Sequence, residues 1–172
     1  MKGKVKKSMK KRILVMALAI VLLFALIPAG AEAATTVPAK VTAAMKRAVT
    51  ENGRVIVVDN ANSKVYLFKD GKLKKSFRCT TGDYINPNYH YFVTSGGKYI
   101  YKEGGKTYQY GVRIDCHEKP LEREICFHSY GEKKGKTYKT VRHNPNGIGC
   151  CIDNAAYLYR YYNTDGTAVM GC

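Results

Sequence analysis

The sequence predicts a mostly β domain with a short N-terminal helix and one late helix. Three observations carry that prediction. Runs of β-branched and aromatic residues recur from Arg54 onward, beginning with Val55-Ile56-Val57-Val58 and Val65-Tyr66-Leu67-Phe68. Asp70-Gly71 follows the second run, and both central positions of a two-residue hairpin turn need positive φ. Helical spacing is confined to a stretch within residues 34–53 and a second from Asn154 to about Tyr162.

Residues 1–33 read as a secretory leader. Lys2, Lys4, Lys6, Lys7, Lys10, Lys11 and Arg12 precede an apolar stretch from Ile13 to Ile27, and Pro28 and Gly30 break it before the A-x-A site Ala31-Glu32-Ala33. The apolar stretch is shorter than the roughly 20 residues that span a bilayer. Cleavage is therefore expected, with membrane contact only through the leader if it stays attached. The expected location is secreted, at the extracellular face or in the cell wall of a bacterium. Residues 34–53 form a helical spacer in this reading. Thr36 caps it, Pro38 occupies its first turn, Val37, Val41, Met45 and Val49 make one apolar stripe, and Gly53 ends it. Residues 54–172 form the body of the domain.

Within that body, Leu73 to Cys79 is the return strand of the Asp70-Gly71 hairpin. Tyr91-Phe92-Val93 and Tyr99-Ile100-Tyr101 flank Gly96-Gly97 as a second hairpin. Tyr108 to Ile114 reads as a further strand, and Ile125-Cys126-Phe127-His128 as another. Asp153 is the expected N-cap of the late helix, and Gly166 leads into a last strand from Thr167 to Met170.

The chain of 172 residues carries a formal charge of +16, and loss of the leader, with seven basic residues and one acid, leaves +10. A cationic exported domain is drawn to anionic surfaces. Export excludes nucleic acid as the natural partner and favours anionic cell-wall polymers. All six cysteines (Cys79, Cys116, Cys126, Cys150, Cys151 and Cys172) follow the leader. An even number fits three disulfides in an oxidising compartment, whereas one catalytic thiol leaves an odd number for pairing. A zinc site from Cys116, His117, Cys126 and His128 has none of the usual paired ligand spacings, so no metal and no cofactor is expected.

Two features can carry chemistry. His128 ends an apolar strand and is followed by Ser129-Tyr130-Gly131, so the sheet would hold the imidazole rigidly beside a loop. Gly147-Ile148-Gly149-Cys150 lies just before a helix, where the positive end of the helix dipole favours a thiolate and backbone N–H groups of Gly147, Ile148 and Gly149 can hold an oxyanion. Asp153 opposes that effect by raising the thiol pKa. A Cys-His pair would suit nucleophilic catalysis. Cys151 is the rival nucleophile, without a preceding glycine.

The body of the chain resembles the L,D-transpeptidase catalytic domain, in which a His precedes a Ser-x-Gly-Cys turn. Phe127-His128-Ser129-Tyr130 is similar to the apolar-His-Ser stretch of that family and Gly149-Cys150 to its Gly-Cys. Val57-Val58-Asp59, Lys64 to Phe68, Gly71-Lys72-Leu73 and Cys79-Thr80-Thr81-Gly82 resemble its opening strands. Ala155 to Tyr159 and Asp165 to Val169 resemble its closing helix and strand. The likeness runs from about Arg54 to Met170. It implies a β-sandwich-like fold, peptidoglycan stem peptides as substrate, Cys150 as nucleophile and His128 as base. The Cys150 thioester would pass to an amine, with a backbone carbonyl as the group that orients the imidazole. Gly147 stands where the family has Ser, Ile152 stands where it has Arg, the link from Cys150 to the helix is about three residues shorter, and its Thr-Pro-x-Gly stretch is here Asn86-Pro87-Asn88-Tyr89. These departures leave a second expectation: a catalytically degenerate or disulfide-stapled cell-wall-binding module.

Overall fold

A computed structural model describes residues 36–94, 97, 99–103, 106–121, 125–130, 132–133, 136–137 and 147–172. The leader and its cleavage site lie outside the described residues, as do residues 34–35 of the spacer and Gly96; the second hairpin expected around Gly96-Gly97 does not form, because Tyr91–Val93 and Tyr99–Glu103 lie in different sheets. Val37–Cys172 forms one compact unit.

Thirteen strands and two helices are described. Helix α1 is Ala39–Arg47 and helix α2 is Ile152–Tyr162. The strands are β1 (Arg54–Asp59), β2 (Lys64–Lys69), β3 (Lys72–Arg78), β4 (Thr80–Thr81), β5 (Tyr91–Val93), β6 (Tyr99–Glu103), β7 (Lys106–Gln109), β8 (Val112–Cys116), β9 (Ile125–Ser129), β10 (Glu132–Lys133), β11 (Lys136–Thr137), β12 (Ile148–Cys150) and β13 (Ala168–Gly171). Nine of them join in the order β3-β2-β1-β13-β5-β8-β9-β12-β4, and β11-β10-β7-β6 make a second sheet. The mostly β class with an N-terminal and a late helix is the one the sequence predicts.

Strand β1 shows why the apolar runs are continuous. It pairs antiparallel with β2 and parallel with β13, and Val55 through Asp59 are all buried. Side chains alternate across a strand, so each face needs its own cover. Val55 and Val57 join Val41 and Ala44 of α1, Tyr66, Phe68 and Met170. Ile56 and Val58 point the other way, into the main core with Leu67, Val65, Phe127, Ile148 and Leu158. Helix α1 therefore roofs one face of the sheet. It is fixed there by Lys40, whose Nζ lies 2.6 Å from the fully buried carboxylate of Asp59.

The Asp70-Gly71 hairpin forms as expected, with φ of 52° and 72° at the two turn residues. Helix boundaries differ from expectation. Helix α1 starts after Pro38 without a side-chain cap, its first amides (Val41 and Thr42) donating to the Pro38 carbonyl, so Thr36 is not the cap. It stops at Arg47 because Ala48 turns extended, well before Gly53. Gly53 instead opens β1 at φ +69°, its carbonyl accepting the Asp70 N–H at 2.8 Å. A side chain at Gly53 would run into the Asp70 carboxylate. The expected strand from Tyr108 to Ile114 is two strands in two sheets, broken at Tyr110 (φ 58°) and Gly111. The last strand is Ala168–Gly171 rather than Thr167 to Met170.

Candidate active site

Strands β9 and β12 bring the two sequence-predicted features together. They pair in parallel, with Ile148 opposite Phe127, Gly149 opposite His128 and Cys150 opposite Ser129. The Tyr130 amide donates to the Cys150 carbonyl at 2.8 Å and extends the ladder. Residues paired across strands share a face. Gly149 is thus on the His128 side. A Cβ there would meet Thr80 Oγ1 at 2.7 Å and the Tyr130 ring at 3.2 Å, so glycine is needed for the strands to close.

His128 is fully buried. Nδ1 lies 2.7 Å from the Ser129 carbonyl oxygen, an acceptor only, so Nδ1 carries a proton. The ring stands edge-on to Tyr108, with centroids 5.0 Å apart at 84°. Ser129 is held in turn, its Oγ accepting the Gln109 amide at 3.0 Å. The hydrogen-bond partner of the imidazole is thus a backbone carbonyl.

The Nε2 edge faces the turn before β12. A Cβ on Gly147 would stand 2.8 Å from Nε2 and would collide with the Cys126 carbonyl, and Gly147 has φ +100°. The absence of the family's serine here therefore has a steric cause. A side chain would strain the backbone and fill the space in front of the base.

Cys150 is placed otherwise than a preformed thiolate–imidazolium pair requires. Its side chain belongs to the main apolar cluster with Cys79, Phe127, Ile148, Ala155 and Leu158, and it is 1% exposed. Its S–H points at the His128 backbone carbonyl, 3.7 Å away. Burial pushes its pKa well up, Cys151 and Cys79 push it further, and Lys75 pulls it down. Burial likewise drives Cys79 to about 12. Lys75, on β3, is a cation that the sequence offered no reason to choose. It acts on Cys150 where the arginine expected after the cysteine is replaced by Ile152.

Cys151 is exposed and is the N-cap of α2, which begins two residues earlier than expected. Asp153 is not the cap but a first-turn residue. The Cys151 carbonyl accepts the amides of Asn154 and Ala155 at 3.0 Å. The amides of Ile152 and Asp153 open the helix with no carbonyl a turn behind them. The expected oxyanion donors are otherwise engaged. The Gly147 amide donates to the buried Asp83 carboxylate, and Ile148 and Gly149 lie in β12 with a paired strand on each side. Asp83 is a second residue that sequence reasoning missed, since nothing local marks it as the anchor of a turn 64 residues away.

All six cysteines are free thiols. The residues of the zinc alternative disperse: Cys116 Sγ donates to Glu118 at 3.4 Å, the His117 ring lies against Phe92, and His128 faces Tyr108. Among the described residues no group of three or more such side chains could hold a metal ion.

No family model matches the chain, and no curated protein matches it in sequence. Solved structures do match in shape. An L,D-transpeptidase in complex with imipenem superposes with a TM-score of 0.52 at 14% identity, over 70% of this chain and 59% of that one. An L,D-transpeptidase from Mycobacterium smegmatis gives 0.51 at 14% identity, over 70% and 58%. A fused Zn-dependent amidase/peptidase/peptidoglycan-binding domain-containing protein from Clostridium acetobutylicum gives 0.52 at 17% identity, over 76% and 57%. The chain thus spans somewhat under three fifths of the length of these structures. What it shares with them is a fold, and that fold is the one the L,D-transpeptidases have.

Proposed function

We propose that this protein is an exported cysteine acyltransferase acting on peptidoglycan stem peptides, with Cys150 as nucleophile and His128 as base. One observation carries the reading: the buried imidazole, its Nδ1–H held by the Ser129 carbonyl, sits on a strand that runs parallel beside Gly149-Cys150. A base held in one orientation needs no reorganisation at the moment of proton transfer. To attack a stem-peptide carbonyl and pass its proton to Nε2, the Cys150 side chain would first have to turn from the core face, where it meets the His128 carbonyl, to the face that carries the imidazole. The imidazolium would then protonate the departing amine, and the thioester would pass to an amine of a neighbouring stem or to water. Because burial keeps Cys150 protonated, the proton leaves during attack and not beforehand. The helix-opening amides of Ile152 and Asp153 are the candidate donors for an oxyanion. Solved structures of the same fold are named as L,D-transpeptidases and as a peptidoglycan-binding-domain protein, which supports this substrate class.

A second reading rests on the exposure of Cys151 at the start of α2. The same experiment separates the two. Residues 34–172 are incubated with a carbapenem, which presents a strained carbonyl to an acylating thiol, and intact mass is recorded for the parent, Cys150→Ser and Cys151→Ser. An adduct abolished by Cys150→Ser alone is the expected result. Loss only with Cys151→Ser moves the nucleophile by one residue. No adduct on reduced, folded protein rejects acyl transfer and leaves the wall-binding module.

A further inference from the structure

A groove away from the thiol brings cations and tyrosines together. Arg54, Lys69 and Lys74, from β1, β2 and β3, line it with Tyr157, Tyr161 and Tyr162 of α2, around a cavity of about 200 Å3. Lys75 flanks it, its Nζ 4.5 Å from the centre of the Tyr157 ring. Tyr161 is 46% exposed although it is a large aromatic, and Tyr162 is buried beneath. Lys69 is partly engaged: it donates to the Asn52 carbonyl and lies 3.3 Å from Asp70, the acidic residue at the rim. Neither Arg54 nor Lys74 has an acidic partner among the described residues. The surrounding β2–β3 hairpin carries Lys64, Lys72 and Arg78 as well, against Asp70 alone.

Unpaired cations at close quarters repel one another, and an anion between them relieves that repulsion. Tyrosine rings add an apolar face for C–H groups and hydroxyls for hydrogen bonds. The volume is below the roughly 300–1,000 Å3 of pockets that engulf a whole small molecule, which suits one repeat of a longer chain. We propose that this groove binds the phosphodiester backbone of a polyol- or sugar-phosphate polymer, the phosphate between Arg54 and Lys74 and the polyol against Tyr161. Tyr161 lies ten residues beyond Cys151, about 15 Å along α2 at 1.5 Å per residue. A polymer held there would keep the domain on an anionic wall. This assignment shares with the proposed function only the expectation of export, and it is tested by binding, so a failure of acyl transfer leaves it standing.

The test is fluorescence anisotropy with fluorescein-labelled, lipid-free poly(glycerol phosphate), titrated with residues 34–172 at two salt concentrations. Arg54→Gln combined with Lys74→Gln should weaken binding at least about tenfold and flatten the salt dependence by about 1–2 counterions. Tyr161→Ala should weaken it about threefold or more. A control with the same charge loss elsewhere, Lys46→Gln with Lys119→Gln, should stay within about twofold of the parent. Equal losses in both double variants would show diffuse charge and overturn the groove. Tighter binding of an oligodeoxynucleotide with the same number of phosphates would overturn the ligand class. Undetectable binding by the parent, with its thermal midpoint showing a folded protein, overturns both.

Discussion

Gly147 and His128 define what single residues contribute. At φ +100° and 2.8 Å from Nε2, the Gly147 position rejects any side chain. Gly147→Ser should therefore lower the urea-unfolding free energy by about 1–3 kcal/mol and also reduce acylation. Restoring the hydroxyl that the resembling family carries would thus weaken this protein, a result that stability measurement and carbapenem-adduct rates check together. His128→Asn should leave the far-UV spectrum intact and slow acylation by about 10²–10⁴-fold. Adduct formation at the parent rate in that variant would remove His128 from the mechanism. The raised pKa of Cys150 sets a third expectation: its alkylation rate should climb with pH beyond 9 without a plateau between 6 and 8. A low plateau would reveal a preformed thiolate, contrary to its burial.

At the scale of elements, α1 is attached by a packed stripe and one ion pair. Burial by itself acts to raise the Asp59 pKa, but hydrogen bonds from Lys40 and Asn62 outweigh it and hold the carboxyl below its ordinary value of 3.8. A depressed folded pKa contributes stability that is present above the unfolded pKa and is lost as pH falls through the folded one. The contribution of this pair should thus persist above about pH 4 and disappear in stronger acid. Lys40→Met should cost about 1–3 kcal/mol at pH 7 by leaving Asp59 charged, buried and short of a donor. The cost should shrink as pH falls below 4, and an equal cost at pH 3 would sink the explanation. Amide exchange along α1 should show whether the helix loosens before the sheet does.

For the whole molecule, the alkaline limit follows from what the core contains. Cys79, Cys150, Tyr130 and Tyr162 are all buried, and burial raises each pKa, Cys79 and Tyr130 to about 12. Groups with raised folded pKa values contribute stability fully below their unfolded values, 9.0 for Cys and 10.0 for Tyr, and lose it as pH rises toward the folded ones. The urea midpoint should therefore hold from pH 7 to about 9 and fall between 9 and 12. Cys79→Ala should leave a shallower decline while lowering the neutral-pH value by the lost packing. A midpoint flat to pH 11 would contradict the burial of these four groups.

The sequence by itself determined the class and the spine of the molecule. Local pattern is enough for a β-branched run buried on both faces, and Asp70-Gly71 sets its turn by backbone sterics alone. His128 and Gly149-Cys150 were legible as chemistry because residue type and neighbouring glycines mark them. Helix ends were less legible: Pro38 and Cys151 open the two helices without a side-chain cap, so no capping residue announces either start. Tertiary structure alone decided which side of the strand each group faces. The parallel register of β9 and β12 puts the Cys150 side chain on the main-core face and the buried His128 imidazole on the other, and a one-residue slip of β12 would bring Cys150 to the His128 face. It also brought Asp83 to the Gly147 amide, Lys75 into the field of Cys150, and Arg54, Lys69 and Lys74 to the tyrosines of α2. Those meetings join residues far apart in the chain, and sheet order, which no local pattern encodes, is what makes them neighbours.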